Sequence, residues 1–177
     1  ANVLGGSCPS PNAGEPAPEL AALFEHTLPA PQGTQAKSQL GLTANVESFR
    51  PTDLQTDLFV LLIFDLYCHA CQQSAKNMRW MNEQIEQDPQ LRKAAVIGLG
   101  RGDTPFEVQT FVNKLDLNFP AVSDRDKSFT DGLGVDRTPS GFLICRQTGE
   151  YRILASFTGY LSRRKVKAFL SPIRMVE

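Results

Sequence analysis

From residue 58 onwards the chain alternates between continuous apolar runs and apolar residues at helical spacing. Residues 58–64 form an apolar run without alternation, which is typical of a central strand covered on both faces. Residues 71–87 place apolar side chains three and four apart and predict an amphipathic helix. A second buried strand is predicted over residues 94–99. Strand, helix and strand in this order indicate two parallel strands joined by a helix.

The next segment begins with a helix-start signature. Thr104 suits the N-cap, Pro105 the first helical position and Glu107 the reciprocal capping position, so a helix is predicted to about residue 115. A strand at 119–122, a helix at 127–133, a hairpin of strands 141–145 and 152–157, and a helix at 162–170 follow. The pattern predicts an α/β fold in which helices flank a central mixed sheet with a parallel half and an antiparallel edge.

The first 33 residues hold six of the twelve prolines and four of the thirteen glycines. This density disfavours long helices and paired strands. We therefore expect residues 1–45 to form an arm, docked on the body through Leu20, Leu23 and Phe24, with a short helical turn at about 19–26 and no clear signal at 34–45. Residues 46–177 are expected to form the main domain.

Composition narrows the classes of function. The 177 residues include 18 Lys+Arg and 19 Asp+Glu, a formal charge of −1, and 41% hydrophobic residues. This balance gives no electrostatic reason to expect nucleic-acid binding, and the apolar runs are far shorter than the roughly 20 residues of a membrane-spanning helix. We expect a monomer. The chain begins at Ala1, which leaves open whether a signal peptide has been removed or the start is artificial.

The cysteines supply the candidate chemistry. Cys68 lies just past the predicted strand, and Cys71 lies three residues later in the first turn of the helix, close enough for a disulfide. The helix N-terminus favours the thiolate of Cys68, which is therefore the candidate nucleophile. Cys71 would be the resolving thiol. His69 between them either supports the thiolate or is a solvent-facing spacer.

Metal and cofactor sites are not expected. A zinc site would need further ligands, but the remaining candidates, Cys8, Cys145, His26 and His69, are wrongly spaced. Covalent haem attachment would need a histidine where Gln72 stands. Cys145 is expected to be a buried small hydrophobe, with a disulfide to Cys8 or a third redox thiol as alternatives.

Several ordered motifs resemble the thioredoxin-like superfamily, and within it the TlpA/ResA-type bacterial thiol-disulfide oxidoreductases. They lie at residues 14–20, 64–71, 119–124 and 134–144. The resemblance implies a thioredoxin-like three-layer sandwich with a strand-helix insertion from residue 96 and an N-terminal extension. It also implies a thiol:disulfide oxidoreductase, acting as a reductant in the periplasm or another extracytoplasmic compartment, with or without a membrane tether outside this sequence. Its partners would be protein thiols and disulfides and an upstream redox donor.

The resemblance also assigns roles to residues near the cysteines. Thr138-Pro139 would carry a cis peptide bond beside the two sulfurs and offer backbone to an extended partner segment. Tyr67, His69 and Ala70 would complete the substrate-binding surface.

Four positions depart from the family pattern. Leu62 stands where thioredoxins have a buried aspartate, and Ser74 where ResA-like proteins have a glutamate. Lys76 replaces the usual helix proline, and Tyr67 the usual tryptophan. The acid that would assist proton transfer is therefore not apparent, and Asp65 is only a nearby substitute.

Two other functions stay open on the same residues. The missing acids suit a non-catalytic binding module, or a metallochaperone holding copper(I) between Cys68 and Cys71. A peroxiredoxin-type peroxidase would need a threonine three residues before the attacking cysteine, where Asp65 stands.

Overall fold

A computed structural model describes residues 4–174 of the chain. This range contains eight strands and six α-helices. The strands are β1 (Glu15–Pro16), β2 (Leu28–Pro29), β3 (Ser48–Phe49), β4 (Leu58–Phe64), β5 (Ala95–Arg101), β6 (Ala121–Asp124), β7 (Ser140–Gln147) and β8 (Glu150–Thr158). The helices are α1 (Glu19–Leu23), α2 (Thr34–Gln39), α3 (His69–Gln87), α4 (Pro105–Leu115), α5 (Ser128–Gly132) and α6 (Arg163–Arg174).

Six strands form one mixed sheet in the order β1-β8-β7-β4-β5-β6. Strands β4, β5 and β6 are parallel, and β7 pairs with β4 and β8 in antiparallel register. The predicted sheet with a parallel half and an antiparallel edge is therefore confirmed. Within residues 4–174, no helix is both long and apolar enough to cross a membrane.

The central strand β4 is buried along its whole length. Because side chains alternate across a strand, Val60, Leu62 and Phe64 face the core shared with α3, α4 and α6, and the intervening residues face the opposite core. This double coverage explains the absence of polar alternation in residues 58–64. Strand β4 ends at the edge of the sheet that carries Cys68 and Cys71.

The N-terminal segment differs from the prediction in two ways. The expectation that it forms no paired strands is wrong, because β1 pairs with β8 and β2 pairs with β3. Each pairing is only two residues long, and proline is tolerated at a sheet edge because its missing N–H need not join a ladder. Helix α2 forms where no element was predicted, and since none of its residues is buried, it shows no apolar period.

Apolar side chains of the N-terminal segment lie in the core on the other face of the sheet, which Phe59, Leu61 and Ile63 of β4 also face. Leu20, Leu23 and Phe24 are buried, and the Phe24 ring packs edge-on against Phe59 at 5.1 Å between centroids. The division of the chain near residue 45 stays a prediction.

Other element boundaries follow local chemistry. The helix predicted from Thr104 is confirmed, with the Thr104 and Glu107 side chains each accepting from the other residue's backbone amide. Strand β6 starts at Ala121 rather than 119, since Pro120 has no N–H to donate to the ladder. Helix α6 continues past residue 170 because Ile173 is also buried on its inner face.

Candidate active site

The candidate redox pair, Cys68 and Cys71, lies where β4 is followed by α3. Strand β4 ends at Phe64, a turn of three residues follows, and Cys68 is the N-cap of α3. Its sulfur accepts a hydrogen bond from the Cys71 amide at 3.1 Å. The helix N-terminus thus directs one of its unpaired amides at the Cys68 sulfur, as the sequence predicted.

Hydrogen bonds within the turn of residues 65–68, and one from α3, hold this turn in shape. The Cys68 amide donates to the Asp65 carbonyl at 3.2 Å, and the Tyr67 amide donates to Asp65 Oδ1 at 2.7 Å. Gln72 Nε2 donates to the Leu66 carbonyl at 2.8 Å. The turn therefore has a defined shape before any partner binds.

The two cysteines differ in exposure, and burial shifts the pKa of Cys71. Both are free thiols; Cys68 is partly exposed and Cys71 is buried. Burial raises the pKa of the Cys71 thiol, and a hydrogen bond with Cys68 adds to this, while the Asp65 backbone and the Thr138 side chain oppose it. Cys71 is therefore protected and protonated in the dithiol, whereas Cys68 can meet a partner.

Strand β7 brings Thr138-Pro139 to the cysteines. Ile63, the last residue but one of β4, pairs with Ser140, so Thr138 and Pro139 lie at the end of β4, beside the turn that carries Cys68. The Thr138-Pro139 peptide bond is cis. The Cys68 sulfur lies 3.5 Å from the Thr138 carbonyl, and Gly159 donates to the Pro139 carbonyl at 2.8 Å.

The other residues assigned to substrate binding also surround Cys68. Tyr67 is 76% exposed, His69 is exposed and Ala70 is partly buried. The pKa of Tyr67 is raised chiefly by a hydrogen bond with Glu107. Their role in binding stays a prediction.

Sequence reasoning missed one acid at this site. Asp103 is only 2% exposed, and its Oδ2 accepts a hydrogen bond from the Leu66 amide at 2.9 Å. Its pKa is raised to about 6, first by burial and then by the nearby carboxylates of Asp65 and Glu107, while the hydrogen bond from the Leu66 amide opposes this rise. The signal was available: Asp103 follows β5, and the carboxyl ends of neighbouring parallel strands meet at one edge of a sheet.

The two positions at which thioredoxins and ResA-like proteins carry an acid are occupied here by Leu62 and Ser74, whose side chains are not acids. Leu62 is fully buried under the site. Ser74 is also buried; its hydroxyl donates to the Ala70 carbonyl at 2.7 Å and accepts from the Leu161 amide. Asp65 uses a carboxylate oxygen to cap its own turn.

The remaining cysteines correct one expectation. Cys145 is buried, but it is not a lone hydrophobe, because it forms a disulfide with Cys8 across a sequence separation of 137 residues. Sequence alone left this alternative open, since nothing local relates the two positions. Over residues 4–174 there is no group of three or more Cys, His, Asp or Glu side chains that could hold a metal ion.

The mixed sheet, its flanking helices and the Cys-x-x-Cys pair at the start of α3 define a thioredoxin-like protein. A putative thiol:disulfide interchange protein DsbE from Chlorobium tepidum shares this fold, with a TM-score of 0.63, 18% identity, and coverage of 94% of this chain and 99% of that one. The chain belongs to the AhpC/TSA family, whose model matches residues 16–152.

Other comparisons bear on the class of activity. The thiol-disulfide oxidoreductase ResA of Geobacillus thermodenitrificans is 26% identical over 125 residues, which cover 71% of this chain and 68% of the relative. The predicted resemblance to ResA-type proteins is thus confirmed. A bacterioferritin comigratory protein from Xanthomonas campestris with alkyl peroxide reduction activity has the same fold, with a TM-score of 0.60, 14% identity, and coverage of 93% of this chain and 98% of that one. The fold is therefore shared by both chemistries, and the residues around Cys68 must distinguish them.

Proposed function

We propose that this protein is a thiol:disulfide oxidoreductase that reduces disulfides of partner proteins through Cys68 and Cys71. The observation that carries the proposal is the asymmetry of the pair: a partly exposed sulfur at the N-cap of α3 accepts the amide of a second, buried cysteine. ResA-type relatives have the same named activity.

The reaction balances as two successive exchanges. The Cys68 thiolate attacks one sulfur of the partner disulfide, forming a mixed disulfide and expelling the other partner sulfur as a thiolate. Cys71 then loses its proton to solvent, and its thiolate attacks the Cys68 sulfur, which breaks the mixed disulfide and expels the second partner sulfur as a thiolate. Two electrons pass to the partner, both its sulfurs end as thiols, and Cys68–Cys71 becomes a disulfide that an upstream dithiol must reduce.

Burial keeps these two steps in order. Because desolvation raises the pKa of Cys71, this thiol stays protonated while Cys68 reacts. A partner segment seated beside the Thr138 carbonyl and the buried Pro139, against the exposed side chains of Tyr67 and His69 and the partly buried Ala70, would bring its disulfide to Cys68. These residues form the proposed substrate-binding surface.

The direction of electron flow follows from how little stabilises the reduced pair. A strongly oxidising couple requires a strongly stabilised reduced form. Here the Cys71 amide is the backbone donor to the Cys68 sulfur, the Cys71 thiol also forms a hydrogen bond with Cys68, and that thiol is desolvated. We therefore expect a reduction potential near roughly −270 mV, as in thioredoxin, rather than near roughly −120 mV, as in DsbA.

The second disulfide supports an extracytoplasmic location. Disulfides persist in oxidising compartments and are rare in the cytosol, and Cys8–Cys145 lies outside the proposed reaction. Fractionation of cells that express the protein, followed by detection in the extracytoplasmic fraction, tests this location; recovery in the cytosolic fraction would contradict it.

Insulin reduction tests the proposed activity. Cys68→Ser should abolish it, and Cys71→Ser should trap partners as mixed disulfides that a thiol reductant releases. Cys8→Ala is the matched control, because it removes a sulfur from the other disulfide and should keep the activity. Full activity of Cys68→Ser would contradict the proposal, and rapid peroxide consumption by the reduced protein without insulin reduction would favour the peroxidase instead.

A further inference from the structure

One buried carboxylate contacts the active-site turn from a different element. Asp103 follows β5, and its Oδ2 lies 2.9 Å from the Leu66 amide nitrogen. The hydrogen bonds described above for the turn come from Asp65 or from α3. Asp103 therefore ties the turn to the strand beside it.

The surrounding residues are built to admit this carboxylate. Gly100 faces it, and a Cβ at that position would lie 3.0 Å from Asp103 Oδ2 and within collision distance of Val108. The Ser123 hydroxyl donates to the Asp103 carbonyl. The hydrogen bond from Ser123 thus fixes the Asp103 backbone, and the lack of a side chain at Gly100 leaves room for the Asp103 carboxylate.

The contact leads directly to the reacting sulfur. Leu66 is two residues before Cys68, and its carbonyl is held by Gln72 of α3. The Leu66 peptide is therefore fixed from both sides, by Asp103 through its amide and by Gln72 through its carbonyl. This fixes where the chain enters α3 and so where the Cys68 sulfur meets the Cys71 amide.

We propose that Asp103 is a positioning residue for thiol–disulfide exchange: its ionised carboxylate holds the Leu66 amide, and protonation of that carboxylate loosens the turn that carries Cys68. The proposal rests on the oxidoreductase function proposed above. It assigns a role to an acid that follows β5. The positions at which thioredoxins and ResA-like proteins carry their acids are occupied here by Leu62 and Ser74.

Burial and the neighbouring charges place the titration of the Asp103 carboxylate in an accessible pH range. Its pKa is raised to about 6, first by burial. The titratable or charged groups on the packed elements are Asp65 and Tyr67 of the turn, Glu107 of α4, Lys127 beside Gly102, and Arg125, which acts on Glu107. The pKa of Glu107 is lowered, mainly by the Thr104 amide, so Glu107 remains charged while Asp103 titrates.

The amide of Leu66 gives a direct readout of this contact. We expect its ¹H and ¹⁵N chemical shifts in the full chain to change with a midpoint near pH 6, and Asp103→Asn to remove that change, because an amide oxygen still accepts but does not titrate. Asp124→Asn is the matched control: Asp124 is a second buried acid, on β6, but it accepts from Phe129 and Thr130. The control should keep the Leu66 transition.

Single-turnover reduction of a cyclic disulfide-bonded peptide by the reduced protein gives the second readout. We expect Asp103→Ala to lower the rate about tenfold at pH 8, as for loss of a charge-assisted hydrogen bond. Asp103→Asn should restore most of the rate and remove the component of the pH–rate profile near pH 6, and Asp124→Asn should retain that component.

The two proposals fail differently. If the unmodified protein reduces neither the peptide nor insulin, the oxidoreductase proposal fails. If it is active but Asp103→Asn leaves both the pH–rate profile and the Leu66 titration unchanged, the role of Asp103 is refuted. A folded Asp103→Ala variant with unchanged rate at pH 8 would also overturn it.

Discussion

The Cys8–Cys145 disulfide allows a quantitative test of what holds the N-terminal segment to the body. Cys145 lies on β7 and is buried, whereas Cys8 is partly exposed. Other contacts hold the same segment: the amides of Gly5 and Gly6 both donate to the Lys93 carbonyl at 3.2 Å. We therefore expect Cys8→Ala to leave the native fold in place and to act mainly on the unfolded chain.

The magnitude follows from the length of the closed loop. For a separation of 137 residues, the chain-entropy relation gives about 5 kcal/mol at 25 °C. Measured disulfide contributions reach this value only at the upper end of their range, so we expect the free energy of unfolding to fall by about 3–5 kcal/mol. With a urea m-value of about 2 kcal/mol/M, the midpoint should fall by roughly 2 M.

The assay needs a background without the redox pair. In a Cys68→Ala/Cys71→Ala variant, a thiol reductant can act only on Cys8–Cys145, and urea unfolding can be followed by circular dichroism. Reduction should lower the midpoint and raise the m-value, because an unfolded chain without the cross-link exposes more surface. Cys8→Ala in the same background should reproduce the reduced protein and should not respond to reductant.

Two results would refute the reasoning. A fall in unfolding free energy of less than about 1 kcal/mol would mean that the cross-link does not limit the unfolded chain as the loop-closure model requires. A large fall with an unchanged m-value and altered native circular dichroism would place the effect in the folded state instead.

Three further predictions concern stability. Gly141→Ala should cost about 1–3 kcal/mol in urea unfolding, because a Cβ there would collide with the Phe157 ring; truncating that ring with Phe157→Leu in the same chain should recover part of the loss, and no recovery would count against the clash. Arg146→Met should cost about 2–4 kcal/mol, since Arg146 donates to three carbonyls of residues 52–56 and to Asp57; an unchanged midpoint would contradict this. The pKa of Asp103 is raised to about 6 in the folded state, so its ionisation opposes folding. As pH rises from 4 to 7, the free energy of unfolding of Asp103→Asn should therefore increase relative to that of the unmodified protein, by on the order of 1–2 kcal/mol after allowance for solvent screening. A constant difference between the two proteins across this range would refute this prediction.

The elements that could be predicted were those whose signal is local. The apolar run of β4 and the helix that follows Cys68 were readable because their own periodicity reports burial. The cap at Thr104 was readable because its partners lie three residues apart. By contrast, α2 exposes or only partly buries its residues and left no pattern.

Sequence by itself determined the class of fold and the candidate redox pair, because strand and helix periods and the spacing of Cys68 and Cys71 are properties of neighbouring residues. Only the tertiary structure decided what Asp103 and Cys145 contact. Asp103 meets Leu66 because β5 runs parallel to β4 and ends at the same edge. Cys145 meets Cys8 because the N-terminal segment returns to the far end of β7. The position of Asp103 after β5 indicates the edge of the sheet on which it lies, but its contact with Leu66 and the pairing of Cys8 with Cys145 depend on sheet order and chain path, which the spacing of neighbouring residues does not encode.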